Sequence, residues 1–363
     1  MMPPTFPRPV LLVCRGLDPI GSGRQIELVA AGLAAAGADV HVAVTTRGGS
    51  LPDRLAATGI VVHRIGTRPV TDAAAVVELV RLARRLRPRP VIAWGGKHLP
   101  AAAALKIAAP ASTPVVHFAK PLRGAATRAL ASMLDGLIAT TPAVASSLTR
   151  RRGREPRVTC IPPAASAADP GGLDRKAIAA SLGLDPARHW TLAVAPLVAA
   201  SRLERLFWAI DQLRVVNRDV EHVLVGAGPL RRQLERRARA QEIADRLVVL
   251  PHCDLLPDLL RHVRLVWQSG TVAFGGAVAD ALGAGVPAVA VADDACRQLI
   301  DDGVTGRLVP VVPESELPRR AYEIIEDDAL AARFVAAARD RATTLFPASA
   351  MVTAHVAACA RFA

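Results

Sequence analysis

The sequence predicts an α/β protein made of two doubly wound parallel-sheet domains facing a cleft. Three observations carry that expectation. Short β-branched runs alternate with Ala-, Leu- and Arg-rich segments at helical spacing. Most of the runs are apolar throughout, as strands covered on both faces of a parallel sheet are. The alternation halts once, at a Pro- and Gly-rich break, and then starts again. A chain of 363 residues, 51% of them hydrophobic, can fill two such cores and is not disordered.

In chain order, strands are expected at Val10–Cys14, Asp39–Thr45, Ile60–Ile65, Val91–Trp94, Pro114–Phe118, Leu137–Thr140 and Val158–Ile161. Helical spacing lies between them near 24–36, 72–87, 100–109, 122–134 and 142–152. Pro162, Pro163 and the run from Ala164 to Gly172 then read as a linker. Beyond it, strands are expected at Leu192–Leu197, Val223–Val225, Leu247–Leu250, Leu265–Trp267, Ala288–Val291 and Arg307–Val309. Helices fill the gaps, notably 230–241, 276–284 and 316–326, and two more follow at about 329–344 and 348–361. The expected domains are therefore 1–168 and 169–346, with the closing helix (about 347–361) packing back on the first.

Charge separates the halves. Residues 1–168 hold 22 Lys and Arg against 8 Asp and Glu, whereas 169–363 hold 23 against 24. Arginines cluster at 81–89 and 150–157. Such a face is either simply solvated or drawn to something anionic, and an anionic membrane surface is the expected partner. Nucleic acid is not, because stacking aromatics are scarce in the basic half. No apolar run approaches the ~18–20 residues that span a bilayer, and the start of the chain is too short in apolar residues for a signal peptide. Five cysteines without CxxC spacing suggest neither a disulfide frame nor a zinc site. A soluble cytoplasmic protein is expected.

Three turns point to a ligand. The first strand leads through Gly21, Ser22, Gly23 and Arg24 into a helix, where close backbone approach and free N–H groups suit a phosphate or a sugar hydroxyl. A dinucleotide fingerprint would continue as GxGxxG, which this loop does not, so an NAD-dependent oxidoreductase is disfavoured. Gly226 and Gly228 end a second strand, with Pro229 at a helix start. Farther on, Phe274, Gly275 and Gly276 open a helix that carries Asp280, a carboxylate suited to two ribose hydroxyls. Each turn taken alone is also an ordinary strand-to-helix connection. His252 follows a strand end, Lys97 and His98 follow another, and His41 and His63 sit inside strands as structural residues.

The order of the pieces says more. GxGPLRRxLE, ADRLVVL, LPDLL, FG, DALGAGVPAVA and DDGVTGRLVP succeed one another over residues 226–310. This succession resembles the donor domain of the family 4 (group 1) glycosyltransferases, and the glycine loop at 21–23 and the segment Arg157–Pro163 resemble that family's first half. The resemblance covers nearly the whole chain. It implies two Rossmann-like domains of the GT-B type, a nucleotide-diphosphate sugar as co-substrate on the second and a glycan or lipid-linked acceptor on the first. It implies no metal and no further cofactor, and work in cell-envelope polysaccharide assembly. Catalytic positions fall on Lys120 and His117. Donor-binding positions fall on Arg202, Gly226, Gly228, His252, Phe274, Gly275, Gly276 and Asp280, and Gly21 to Arg24 form the acceptor-side loop. The leaving phosphate acts as the base in retaining enzymes of this fold.

The chain also departs from the family. Val272 replaces a sugar-binding Glu, Asp280 shortens the ribose-binding one, and Pro196 and Ser201 occupy the places of two phosphate-binding cations. Arg202 lies one place late, and Gln298 stands in the family's GGxxE element. A charge-assisted contact is worth roughly 1.5–3 kcal/mol, so losing several slows the reaction by powers of ten. Two functions are therefore expected to compete: a retaining glycosyltransferase, or a weak or inactive relative that binds a sugar nucleotide or a partner.

Overall fold

The computed structural model describes residues 6–17, 21–45, 51–65, 73–118, 122, 124–149, 157–165, 171–217, 219–270 and 275–362. The chain divides into two compact units: residues 1–163 with 348–363, and residues 164–347.

The first unit holds strands β1 (Val10–Cys14), β2 (Val40–Val44), β3 (Val61–Arg64), β4 (Val91–Trp94), β5 (Pro114–Phe118), β6 (Gly136–Ala139) and β7 (Arg157–Cys160). Its helices are α1 (Ser22–Ala35), α2 (Leu51–Ala57), α3 (Ala73–Leu86), α4 (Leu99–Ala108), α5 (Ala125–Ser132) and α6 (Pro142–Thr149). All strands are parallel, in the order β3-β2-β1-β4-β5-β6-β7. Helices α3 to α6 bury Leu79, Leu82, Leu105, Ala131 and Val144 on Leu11, Val13, Ala93, Val116 and Leu137. The alternate strand residues Val10, Leu12, Ile92, Val115 and Ile138 are equally buried. Those all-apolar runs are what a sheet covered on both faces requires.

The second unit repeats the plan with α7 (Arg175–Leu182), β8 (His189–Val194), α8 (Leu203–Val216), β9 (Val220–Val225), α9 (Arg231–Ala240), β10 (Leu247–Leu250), α10 (Leu256–Leu260) and β11 (Leu265–Gln268). It continues through α11 (Gly276–Ala284), β12 (Ala288–Val291), α12 (Asp294–Leu299), β13 (Gly306–Val309), α13 (Glu316–Glu326) and α14 (Asp328–Leu345). The sheet is again parallel, in the order β10-β9-β8-β11-β12-β13. Val289 and Val291 face a core with α8 and α13, whereas Ala288 and Ala290 face one with α11. Helix α14 serves both, with Phe334 in the first and Ala338 and Ala342 in the second, where Phe346, just past its end, joins them.

The last helix, α15 (Ala348–Phe362), belongs to the first unit and packs on α1. Gly32 makes that approach close: a Cβ there would lie 2.1 Å from Val352 Cγ1. The stretch 328–361 is apolar and long enough by composition to cross a bilayer. It is two helices, broken at Phe346–Pro347 and each burying one face in its own unit.

Two expected elements move. Strand β8 runs over His189–Val194 rather than 192–197, and β9 starts three residues early, at Val220. The reason is polar residues that are buried with partners. Glu221 accepts from Asp185 N (2.8 Å) and Arg188 Nη1 (3.1 Å), and His222 Nδ1 lies 2.6 Å from Thr191 Oγ1. In the expected linker, Ala164 and Ala165 are buried, and Asp258 ties down its end. The Asp258 carboxylate accepts from Gly171 N (3.0 Å), Gly172 N (3.0 Å) and Leu173 N (3.3 Å).

Candidate functional site

In an open parallel sheet the ligand crevice lies outside the carboxyl ends of the strands, where the strand order reverses. In the second unit that point is between β8 and β11. The turn after β8 is pressed against the turn after β9, and this explains the two glycines. A Cβ on Gly226 would sit 1.9 Å from Ala195 O, and one on Gly228 2.4 Å from Leu197 O. Leu230 N donates to Leu197 O (3.1 Å), so the glycine turn is seated on its neighbour and α9 opens beyond it, at Arg231.

Pro196 and Ser201 are joined to each other. Ser201 Oγ donates to Pro196 O at 2.6 Å, and Ser269 Oγ donates to Ser201 O at 3.0 Å. Arg202 follows with φ 49° and ψ 42°, a left-handed conformation at the cap of α8. Its side chain is 61% exposed and lies 3.6 Å from Glu204. Both residues line a cavity of about 620 Å³ together with Ala199, Ala200, Leu230 and Gln233.

On the β11 side, Gly275 caps α11 in the left-handed conformation, and a Cβ there would approach Leu299 Cδ1 at 3.0 Å. Gly276 is buried behind it, and Asp280, in the second turn, is 1% exposed. A solvent-facing role for that carboxylate is thereby excluded. Val272 and Phe274 lie outside the described residues. His252 is exposed two residues past β10. Gln298 belongs to α12, whose cap is Asp293, accepting from Cys296 N at 2.8 Å. Burial and that Asp293 carboxylate push the Cys296 thiol well above its ordinary range, so it is an unreactive group at neutral pH.

In the first unit the order reverses between β1 and β4. Gly21 caps α1 with φ 66°, Ser22 is exposed and Gly23 is buried. Arg24 is committed elsewhere: its Nη1 lies 2.7 Å from Glu27 Oε2, and Arg54 Nη2 lies 2.8 Å from Glu27 Oε1. His117, on β5, is 1% exposed and stacked on Trp94 (4.4 Å between centroids) and on His355 of α15 (5.8 Å). Burial and the neighbouring His355 hold its basicity well below the ordinary imidazole range. Lys120 lies outside the described residues. Beyond β4, Gly95 (φ 99°) turns the chain into a short 3₁₀ turn at Gly96–His98.

Sequence reasoning missed the His117–Trp94–His355 stack, since nothing ties a helix at 355 to strands at 94 and 117 before the chain folds. It also missed Glu204 as the partner of Arg202, although the i, i+2 charge pair was readable. His41 and His63 do share a structural role, with Nδ1 and Nε2 2.9 Å apart on adjacent strands.

Comparison with known proteins agrees with this architecture. Residues 174–341 match the glycosyl transferases group 1 profile, and residues 21–164 match the glycosyl transferase 4-like domain. A stretch of 127 residues is 35% identical to the phosphatidyl-myo-inositol mannosyltransferase of Mycolicibacterium smegmatis. It covers 34% of this chain and 32% of that protein, so the chain matches about a third of the relative's length. Among solved structures, Anabaena Alr3699/HepE in complex with UDP and glucose superposes with TM-score 0.78 at 19% identity, over 98% of this chain and 100% of that one. Sucrose-phosphate synthase from Thermosynechococcus elongatus gives 0.76 at 18% identity, over 95% and 96%. At these identities the likeness concerns the fold, two parallel-sheet domains of the GT-B type. Two profiles matched in order over most of the sequence place this chain in the family: it belongs to the group 1 glycosyltransferases.

Proposed function

We propose that this glycosyltransferase moves a sugar from a nucleotide-diphosphate sugar to a glycan or lipid-linked acceptor, with retention at the anomeric carbon, in cell-envelope polysaccharide assembly. The single observation that carries the donor half is Asp280. Asp280, in the second turn of a helix that opens on two glycines, is the residue we assign to the nucleotide ribose, on its place in the order of motifs. The diphosphate meets the start of α11 at Gly275 and Gly276, the Gly226–Gly228 turn and Arg202; Phe274 and His252 border the sugar and base. The bond from the anomeric carbon to the donor phosphate oxygen breaks. The acceptor oxygen then bonds to that carbon on the same face, and the leaving phosphate takes the acceptor's proton. Neither metal nor further cofactor enters this scheme. HepE, crystallised with UDP and glucose, supports the substrate class.

On the acceptor side we place the Gly21–Gly23 turn and Lys120. His117, expected as a catalytic residue, is enclosed by Trp94 and His355 and is left out of the acceptor site. The protein works in the cytoplasm at the inner membrane surface, contacting anionic lipid through its basic half. Arg81, Arg84, Arg85 and Arg87 are exposed on and after α3, and Ile107, 71% exposed on α4, stands beside them. Arg150 to Arg152 lie outside the described residues. Replacing those three with Ala weakens binding to anionic liposomes, and an unchanged affinity refutes the membrane contact.

A second reading, a frame that binds donor without turning it over, is favoured by one observation. The Ser201 hydroxyl is spent on Pro196 O where a phosphate-binding cation belongs. A thermal-shift screen against UDP-, GDP- and ADP-sugars tests both, because bound ligand at 100 times its Kd stabilises by about 2.7 kcal/mol. We expect one nucleotide to shift the melt and Asp280→Asn to abolish that shift. Release of nucleotide on turnover then supports transfer, binding without release supports the second reading, and no shift with any of them sinks both.

A further inference from the structure

We infer that the outer face of α9 docks an anionic glycan chain, with acidic groups of that chain on Arg232, Arg236 and Arg239 and one of its sugars in the cavity beside Arg202. This names a class of acceptor and rests on the reading that the protein acts on a glycan. Helix α9 holds five arginines and one glutamate in ten residues, in a half of the chain whose charge is close to balanced. At 3.6 residues per turn, positions 232, 236 and 239 fall within about 60° of arc, and at 1.5 Å per residue they span about 10 Å. All three residues are exposed. The glutamate of the helix, Glu235, is taken by Arg231 Nε at 2.8 Å. The next carboxylates along the chain, Glu242 and Asp245, lie 3.4 Å from Arg214 and 3.2 Å from Arg246. Among the described residues the three stripe arginines have no ion-pair partner. Like charges at i and i+4 destabilise a helix, so the stripe is a standing cost that a bound polyanion removes.

The adjoining cavity narrows the kind of polyanion. Gln233, one position on from Arg232, lines it with Arg202 and Glu204. Among the described residues none of those three side chains is hydrogen-bonded, and the 3.6 Å between Arg202 and Glu204 leaves both able to bind a ligand. Together they offer donors and acceptors beside an apolar wall at Leu230. A sugar ring uses both through its hydroxyls, whereas a phosphate can use only the donors. The guanidinium forks of the stripe in turn match the paired oxygens of a carboxylate or sulfate. A lipid surface calls for apolar anchors beside the cations, and the only apolar residue α9 exposes is Ala240. Nucleic acid calls for aromatic platforms, and α9 has none.

Calorimetry on the full chain tests this with two acidic oligosaccharides, tetragalacturonate and a heparin tetrasaccharide, against neutral maltotetraose. We expect at least one acidic chain to bind about tenfold more tightly than the neutral one, and to weaken as salt rises from about 50 to about 300 mM. Replacing the whole stripe (Arg232→Gln, Arg236→Gln and Arg239→Gln together) should weaken that binding about tenfold, as loss of three exposed ionic contacts does. Gln233→Ala should weaken it about threefold, as loss of one hydrogen bond does. The same change of charge at exposed arginines on other helices (Arg128→Gln, Arg333→Gln and Arg361→Gln together) should leave it unchanged. If the stripe variant does not fold, Arg236→Gln alone carries the test, with about a threefold loss. Failure of both acidic chains to bind, an equal loss in the control variant, or no loss in Gln233→Ala overturns the inference. Polyglutamate bound more tightly than either acidic glycan would mark a protein partner and overturns it too. Equal affinity for maltotetraose does the same but leaves a glycan acceptor standing, and UDP binding on the same samples reads the donor site separately.

Discussion

Arg202 is the residue at which conformation and chemistry pull apart. A side chain at φ 49° in the left-handed region costs about 1–2 kcal/mol, and glycine escapes that cost. The guanidinium is half-turned to solvent beside Glu204, so little in the folded chain repays the strain. Arg202→Gly is expected to raise unfolding stability by about 1 kcal/mol in urea titrations. If Arg202 also grips the donor diphosphate, the same variant loses nucleotide affinity, and calorimetry reads that loss separately. A destabilised Arg202→Gly protein would disprove the strain argument. Other residues were opaque for a related reason. Thr191 links Trp267 Nε1 (2.8 Å) to His222 Nδ1 (2.6 Å), and a lone Thr in an apolar run announces neither partner.

Among the elements, close approach decides which glycines matter. At Gly228 the obstructing atom is the backbone carbonyl of Leu197, which cannot step aside. At Gly32 it is a methyl of Val352 on α15. The two sites therefore answer differently to a larger residue. Gly32→Leu is expected to lift α15 from α1, and limited proteolysis should then remove residues 348–363 faster than in the parent chain. Unchanged cleavage would show that α15 is held elsewhere. Gly228→Ala has no such outlet, and overpacking of this kind costs about 1–3 kcal/mol. From the sequence both glycines looked like loop or spacing residues; their neighbours are 320 residues away in one case and 31 in the other.

For the molecule as a whole, buried neutral histidines set the response to acid. Burial holds His98 and His355 at about 4, His222 at about 3, and His117 well below the ordinary range. The unfolded chain binds protons at these groups near pH 6.5 and the folded chain does not. Their contribution to stability is therefore complete above 6.5 and falls as pH drops below it. Each such histidine removes about 1.4 kcal/mol per pH unit. Three of the four belong to the first unit, so that unit should weaken faster between pH 6.5 and 4. Urea unfolding followed at Trp94, with the other tryptophans replaced, measures it; a flat profile from pH 7 to 5 would contradict the assignment.

Strand after strand was readable because burial on both faces leaves an all-apolar run, and order along the chain sufficed to name two parallel sheets and the family. Helix ends with glycine, such as the start of α11, were legible for the same local reason. What only the folded chain decided is who meets whom. Whether Ser201 and Pro196 are free or joined, whether Arg24 faces a ligand or Glu27, and whether His117 is open or enclosed by a helix 238 residues later depend on contacts between distant segments. Such contacts cost chain entropy that packing across the whole unit must offset, and no local pattern encodes them.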